Sequence, residues 1–338
     1  MVTVDKSVND PVAGAASGDF LELADPFRRE LLAHCYRMLG SVHDAEDLVQ
    51  ETYIRAWRAY DRFEGRSSMR TWLHRIATRV CLTALESRDR RPMPTGLGAP
   101  SSDPVSELVA QPEVPWLEPM PDTMITAEVA DPAAIVASRE SLRLAFVAAL
   151  QHLPPRQRAV LILREVLQWK AAEVAELLDT TTAAVNSMLQ RARAQIDEAA
   201  PTEEGTSEPE TAEQRALLDR YVAAFEAKDI QAMITLFTSD AVWEMPPFTG
   251  WYQGAENIAR LIDVQCPARG PGDMRLVETR ANGQVAFGLY MRGEDGTYQP
   301  FNLPVLTFEG DRVKHVASYF DTTLFELFGL PPELPPLE

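Results

Sequence analysis

At 338 residues the chain has room for two or three domains with separate cores, and its 46% hydrophobic and 8% aromatic content suits a soluble globular protein. No run of roughly 18 apolar residues would span a bilayer. Met1 to Asp10 lacks the apolar centre of a signal peptide, so the reading excludes a membrane anchor and expects a cytoplasmic protein. The formal net charge of −18 opposes contact with nucleic acid until its distribution is read. Between Arg62 and Arg91 eight arginines stand against three acids, whereas Pro92 to Ser138 holds seven acids and no lysine or arginine.

Helical periodicity opens the chain. Leu31, Cys35, Met38 and Leu39 recur at three- and four-residue steps, then Ala45, Leu48, Val49, Tyr53, Ala56 and Trp57 do the same. Gly40-Ser41 breaks the two runs, and acids clustered after Asp44 suit the positive end of a helix that begins there. Nine prolines between Pro92 and Pro132 then forbid regular structure. Helical pattern resumes at Ile135 and runs to about Ile196, interrupted at Leu153-Pro154-Pro155. Further on come helices from Thr211 to Glu226 and from Asp229 to Phe237. Alternating strands follow at Val285 to Met291 and Leu303 to Phe308, with turns at Glu294-Asp295-Gly296 and Glu309-Gly310-Asp311. These signs divide the chain into a helical module over 20–91, an acidic proline-rich linker over 92–134, a second helical module over 135–197, an acidic linker over 198–211 and a mixed module over 212–330. Cys35, Cys81 and Cys266 have no metal-ligand spacing and read as small core or surface residues, and no metal or cofactor is expected.

The run Asp44-Ala45-Glu46-Asp47-Leu48-Val49-Gln50-Glu51-Thr52-Tyr53-Ile54-Arg55-Ala56-Trp57, with Phe63-Glu64-Gly65 and Thr71-Trp72-Leu73-His74-Arg75-Ile76-Ala77, resembles the polymerase-binding and promoter-melting core of bacterial sigma factors. On helical geometry Leu48, Val49 and Trp57 point inward, while Asp47, Gln50, Glu51 and Arg55 share another face. The charges alone describe a solvated helix face. The resemblance implies instead that Asp47, Gln50, Glu51 and Arg55 contact core RNA polymerase. It also implies that the loop carrying Arg62, Arg66, Ser67 and Ser68 captures an unstacked promoter base, with Arg70, Arg75 and Arg79 as a phosphate track along the downstream element. Trp72 is expected in the core.

Trp169 to Arg193 reads as two helices joined by a tight polar turn, a helix-turn-helix with Val174, Leu178, Val185 and Leu189 as its core and a threonine cap on the second helix. The lead-in Leu153-Pro154-Pro155-Arg156-Gln157-Arg158-Ala159-Val160-Leu161 resembles the sigma domain that reads the upstream promoter element. Thr182, Ala183, Asn186, Ser187 and Gln190 are then expected at base edges, and Arg191 and Arg193 at phosphates. The family commonly has glycine where Asp179 stands and a basic residue where Asn186 stands, so a weaker grip is expected.

Within the linker, Pro115-Trp116-Leu117-Glu118-Pro119 is an apolar knot. It resembles the motif of the sigma subgroup with an extra C-terminal domain, where that domain packs on the linker, so Trp116 and Leu117 are expected linker contacts. A location of Trp116 in the polymerase channel fits the same residues. The third module, through Leu218 to Phe225, Leu236 to Pro247 and Trp251 to Gly254, resembles a SnoaL-like domain, a cone-shaped curved sheet wrapped around helices. Trp243, Glu244, Trp251, Tyr252, His315, Tyr319 and Asp321 are its candidate pocket lining.

The expected fold is multidomain: two all-α sigma domains, the second a helix-turn-helix, followed by an α+β cone-shaped SnoaL-like domain. The chain is identified as a member of the extracytoplasmic-function (ECF) sigma factors. That membership implies a factor, not an enzyme, whose partners are core RNA polymerase and promoter DNA and whose C-terminal domain regulates it in cis. Two alternatives stay open: a small-molecule isomerase or hydrolase, and a one-component DNA-binding regulator that senses a small ligand in the C-terminal domain.

Overall fold

The computed structural model describes residues 20–87, 90–124, 140–199 and 212–337. Its first module is built on α1 (Arg28–Leu39), α2 (Val42–Ala59) and α3 (Met69–Leu85). Gly40 ends α1 in the left-handed region at φ 71°, where a side chain would be strained. The next residue, Ser41, caps α2 by accepting the Asp44 N–H at 3.1 Å. The helix therefore starts at Val42 rather than at Asp44, because the hydroxyl satisfies one of the free N–H groups of the first turn. Leu31, Cys35, Met38, Val49, Leu73 and Cys81 are buried where the three helices meet.

The second module contains α4 (Leu144–Gln151), α5 (Pro155–Leu161), α6 (Ala171–Leu177) and α7 (Thr182–Ala199). Pro155 is at the first position of α5, where its missing N–H is no loss. A wider turn from Ile162 to Val166 extends that helix. The start expected at Ile135, the start at Thr211 and most of the second linker lie outside the described residues.

In the third module α8 (Ala212–Glu226) and α9 (Ile230–Leu236) precede a six-stranded sheet, with α10 (Ala255–Gln265) inserted after the second strand. The strands are β1 (Phe237–Glu244), β2 (Trp251–Gln253), β3 (Met274–Ala281), β4 (Gln284–Arg292), β5 (Tyr298–Glu309) and β6 (Arg312–Tyr319), in the order β2-β1-β6-β5-β4-β3. Only the β1–β6 pair is parallel.

Alternate residues of a strand face opposite sides, and here both sides are covered. Trp243, Phe287, Leu306 and Val316 join Tyr221 and Phe225 of α8 and Ile258 of α10 in one core. Ala286, Tyr290, Val305, Ala317 and Tyr319 face the other way, into a core continuous with both helical modules and with Leu117 and Met120 of the linker. Burial on two faces explains why β4 reads as a near-unbroken apolar run.

Residues 90–124 are irregular, as the prolines require, but they are pinned. Ser102 N–H donates to the Trp251 carbonyl at 2.7 Å, Thr249 N–H to that of Val109 at 3.0 Å, and Gln111 N–H to that of Pro247 at 2.8 Å. The third module thus supplies the backbone partners that a proline-rich strand lacks within itself.

Candidate partner and nucleic-acid interfaces

On α2 the buried face is Val42, Ala45, Val49, Thr52 and Ala56. Asp47, Gln50 and Arg55 are exposed on the opposite side, and Glu51, half-buried, accepts from Arg55 Nε at 2.7 Å. Trp57 corrects the inward expectation: it is 49% exposed, one turn beyond Ile54 at 44%. At about 100° per residue, Ala56 continues the line of Val49 while Trp57 turns away from it. The result is a polar stripe with an apolar end.

The linker reaches this helix at its start. Glu118 Oε2 accepts from Ser41 Oγ at 2.8 Å, Val42 N at 3.1 Å and His43 Nδ1 at 3.0 Å, while Arg91 bridges Glu118 and Asp44. Leu117 is fully buried, and a Cβ placed on Gly40 would meet its Cδ1 at 2.7 Å. Trp116 is buried too, donating its indole N–H to the Gln111 carbonyl at 2.9 Å.

The downstream candidates differ among themselves. Arg62, Arg66 and Arg79 are exposed, with Arg66 beside Glu64 at 2.5 Å. Ser67 is half-buried, and the Ser68 hydroxyl caps α3 by accepting from Thr71 N at 3.1 Å, so it is already occupied. Arg70 forks onto Glu30, with Nε 2.8 Å from both oxygens. Burial pushes the Glu30 carboxyl up, but the Arg70 hydrogen bond together with the charges of Arg70 and Arg37 outweighs it and lowers the group from its usual value. Arg75 is bidentate to Glu176, at 3.0 and 3.2 Å, across to α6 of the other module. Trp72 is half-buried and lies tilted by 32° against Phe63, ring centroids 4.7 Å apart.

Beneath this surface lie two imidazoles that motif reading passed over. His34 and His74 are buried, 5.5 Å apart, and among the described residues each has one ring nitrogen without a partner. Burial, with His74 and Arg37 nearby, holds His34 well below its usual value. Burial also lowers His74, against the Arg70 carbonyl and Glu30.

In the helix-turn-helix, Val174, Ala175, Leu178, Val185 and Leu189 form the joint core. Thr181 Oγ1 caps α7 by accepting from Ala184 N at 3.1 Å. Asp179 occupies the left-handed region at φ 49°, which explains the glycine preference at that turn. Thr182, Ala183, Asn186, Ser187, Gln190, Arg191 and Arg193 are all exposed. Arg191 donates to Ser187 Oγ at 2.9 Å and Arg193 pairs with Glu165 at 2.6 Å.

The seven pocket candidates are not brought together. Trp243 and Tyr252 belong to the helix-side core, where Trp243 lies parallel to Phe225 at 6.2 Å. Glu244, next to Trp243 on the same strand, faces the opposite side. There His315 Nε2 lies 2.9 Å from Oε1, while Thr95 of the linker gives its N–H at 2.9 Å and its hydroxyl at 3.1 Å to Oε2. Trp251 donates to the Ala99 carbonyl at 2.9 Å, and Tyr319 Oη lies 3.6 Å from Met93 Sδ. Burial raises the Tyr319 hydroxyl well above its usual value. Asp321 is exposed and binds Thr323 in a local turn, so it lines nothing. With Oε2 holding Thr95 and Oε1 holding His315, this cluster is a clasp on the linker.

Asn282-Gly283, the β3–β4 turn, was not singled out from the sequence, although Asn-Gly between alternating strands is the strongest short hairpin signal. Among the described residues no group of three potential metal ligands occurs, and no helix is long and apolar enough to cross a membrane.

Three family models match the chain: Sigma-70 region 2 over residues 23–91, Sigma-70 region 4 over 143–196, and a SnoaL-like domain over 218–316. The ECF RNA polymerase sigma factor SigG of Mycobacterium tuberculosis (strain ATCC 25618 / H37Rv) is 60% identical over 334 residues, which cover 98% of this chain and 89% of that protein. SigJ, an ECF RNA polymerase sigma factor of the same strain, is 29% identical over 256 residues, 73% of each. The crystal structure of the M. tuberculosis extracytoplasmic function sigma factor SigJ superposes with a TM-score of 0.57 at 23% identity, covering 93% of this chain and all of that one, a likeness of fold.

Proposed function

Because the chain belongs to the ECF RNA polymerase sigma factors, and is an alternative sigma factor directing core RNA polymerase to promoters rather than an enzyme, we propose that α2 is its polymerase-docking surface. The observation that carries this is the stripe of exposed Asp47, Gln50 and Arg55 with half-buried Glu51, ending on exposed Ile54 and Trp57. A polar rim beside an apolar anchor is the composition of an interface that forms and releases. Residues 20–91 would bind polymerase and melt DNA through Arg62, Arg66, Ser67, Arg70, Arg75 and Arg79, and residues 135–197 would read the upstream element from α7. Such a factor works in the cytoplasm, beside the chromosome.

The third module, residues 212–330, acts in cis by fixing how the two DNA-facing modules sit. The Glu244–Thr95 clasp and the backbone bonds to residues 102–111 support that role, and occupation of the clasp by the linker speaks against turnover. A small ligand, if one binds the third module, acts by releasing that clasp.

Asp47→Lys should reduce core-polymerase binding at least tenfold while leaving the fold intact, as the residue is exposed; undiminished binding would refute the docking surface. Removing residues 202–338 should change promoter-dependent transcription in vitro. Identical start-site use and rate would remove the third module from regulation.

A further inference from the structure

We propose that the β3–β4 hairpin tip, Ala281 to Gln284, is a latch that holds the two DNA-facing modules together, and that promoter engagement requires its withdrawal. The proposal rests on the reading of the third module as a regulator in cis. Turn tips are normally solvated, yet the side chain of Asn282 is fully buried, in the left-handed region at φ 58°. Its Nδ2 donates to Tyr36 Oη of α1 at 2.9 Å and to the Leu142 carbonyl of the second module at 2.7 Å. Its Oδ1 accepts from Met120 N of the linker at 2.8 Å, and its own N–H returns to the Met120 carbonyl at 2.9 Å. One amide thus joins three other parts of the chain, and the partners fix its orientation: a backbone N–H needs the oxygen, a carbonyl needs the NH2.

Neighbouring residues extend the seat. Gln284 Oε1 accepts the Leu144 N–H at 3.1 Å, the first of α4 and without an intrahelical partner. Gly283 N–H donates to Asp122 Oδ1 at 2.7 Å, and Arg280 Nε to Asp122 Oδ2 at 3.1 Å.

The seam that the tip spans combines apolar packing with one cation that is costly to bury. Arg158 of α5 is buried against the end of α1, donating to the Met38 carbonyl, to Gln151 Oε1 at 2.8 Å and to the carbonyls of Gln151 and Leu153. Those acceptors are all neutral and the Arg158 Nε–H has none among the described residues, while burial pushes the guanidinium down to about 10. Parting the modules would rehydrate that cation, which favours opening. Withdrawing the tip, by contrast, would break four bonds of Asn282 at once. The tip therefore sets the balance. Reading two separated promoter elements requires the modules to part, because Arg75 and Glu176 now hold α3 and α6 within ion-pair distance.

The test uses the full chain, with distance labels at exposed Glu86 and Ala194 and a promoter-dependent transcription assay with core polymerase. Asn282→Gly keeps the left-handed turn and removes only the amide; Tyr36→Phe removes one partner and leaves the hairpin intact. Each should raise the ratio of open to closed molecules at least about tenfold and raise transcript yield, since Asn282→Gly removes three buried hydrogen bonds and Tyr36→Phe two, the second of them to the Glu118 carbonyl at 2.7 Å. The double variant should fall short of the product of the singles, since both remove the same bond. An unchanged distance in both variants, strictly multiplicative effects, or opening without more transcript would each overturn the latch. Should Asn282→Gly lower the melting of the third module, the Tyr36→Phe distance decides. If Glu244→Ala in the full chain, which removes both acceptors of the Thr95 clasp, alters transcription while neither latch substitution does, the latch is wrong and regulation in cis stands; if none of the three does, both fail.

Discussion

On α3, Arg70 and Arg75 already hold carboxylates of their own chain, Glu30 and Glu176, whereas the reading face of α7, from Thr182 to Gln190, stands open to solvent. A paired arginine gains only the difference between a carboxylate and a phosphate, so the first surface is muted by internal competition. The second is muted by composition instead, with neutral Asn186 and Gln190 exposed on that face. Weak binding of free DNA is therefore expected on two separate grounds, and each can be altered without touching the other.

The comparison breaks most strongly with acid. His34 and His74 are held neutral in the folded first module, so the unfolded chain takes up more protons once the pH drops through the ordinary imidazole value of about 6.5. Their contribution is fully present above that pH and is lost below it, by up to about 1.4 kcal/mol per imidazole for each pH unit until the depressed folded value is reached. Hydrogen exchange at pH 7.5 and 5.5 should show α1 and α3 losing protection ahead of α7, since the first module carries two buried imidazoles and the second, among its described residues, has only His152, lowered by burial, Arg90 and Arg158. Equal losses in the two modules would contradict the account.

A smaller effect isolates the pairing. Glu176→Lys repels Arg75 and adds a cation at an exposed position, so free-DNA affinity should rise about tenfold at low salt, with a salt dependence steeper by roughly two. Affinity that does not move would mean that Arg75 never faces DNA. The smallest effect concerns the turn: Asp179→Gly should stabilise the second module by about 0.5 kcal/mol, relief of the left-handed strain outweighing the added chain entropy. Denaturant unfolding that shows a loss would place some unseen role on the Asp179 carboxylate.

The polar stripe of Asp47, Gln50 and Glu51 was legible because helical spacing alone separates it from Val49 and Ala56. Trp57 misled, since the three- and four-residue apolar steps took it in along with Tyr53 and Ala56, while its angle on the helix, one residue past Ala56, put it outside. The pocket failed for a reason the sequence did contain: Trp243 and Glu244 are neighbours on a strand and cannot line one cavity. Pairs such as Arg75–Glu176 or Asn282–Tyr36 were beyond reach, for nothing local links residues so far apart along the chain. The Asn-Gly turn itself was readable, but its burial was not.

The sheet of the third module gives one face to its own helices and lends the other to its neighbours. A chain stopped before residue 212 would leave the borrowed wall bare on the partners it used to shield, Leu117 and Met120 among them, inviting chaperones and proteases. Gene fusion here therefore works as a ratchet: once the helical modules came to lean on that sheet, losing it carried a folding penalty as well as a regulatory one.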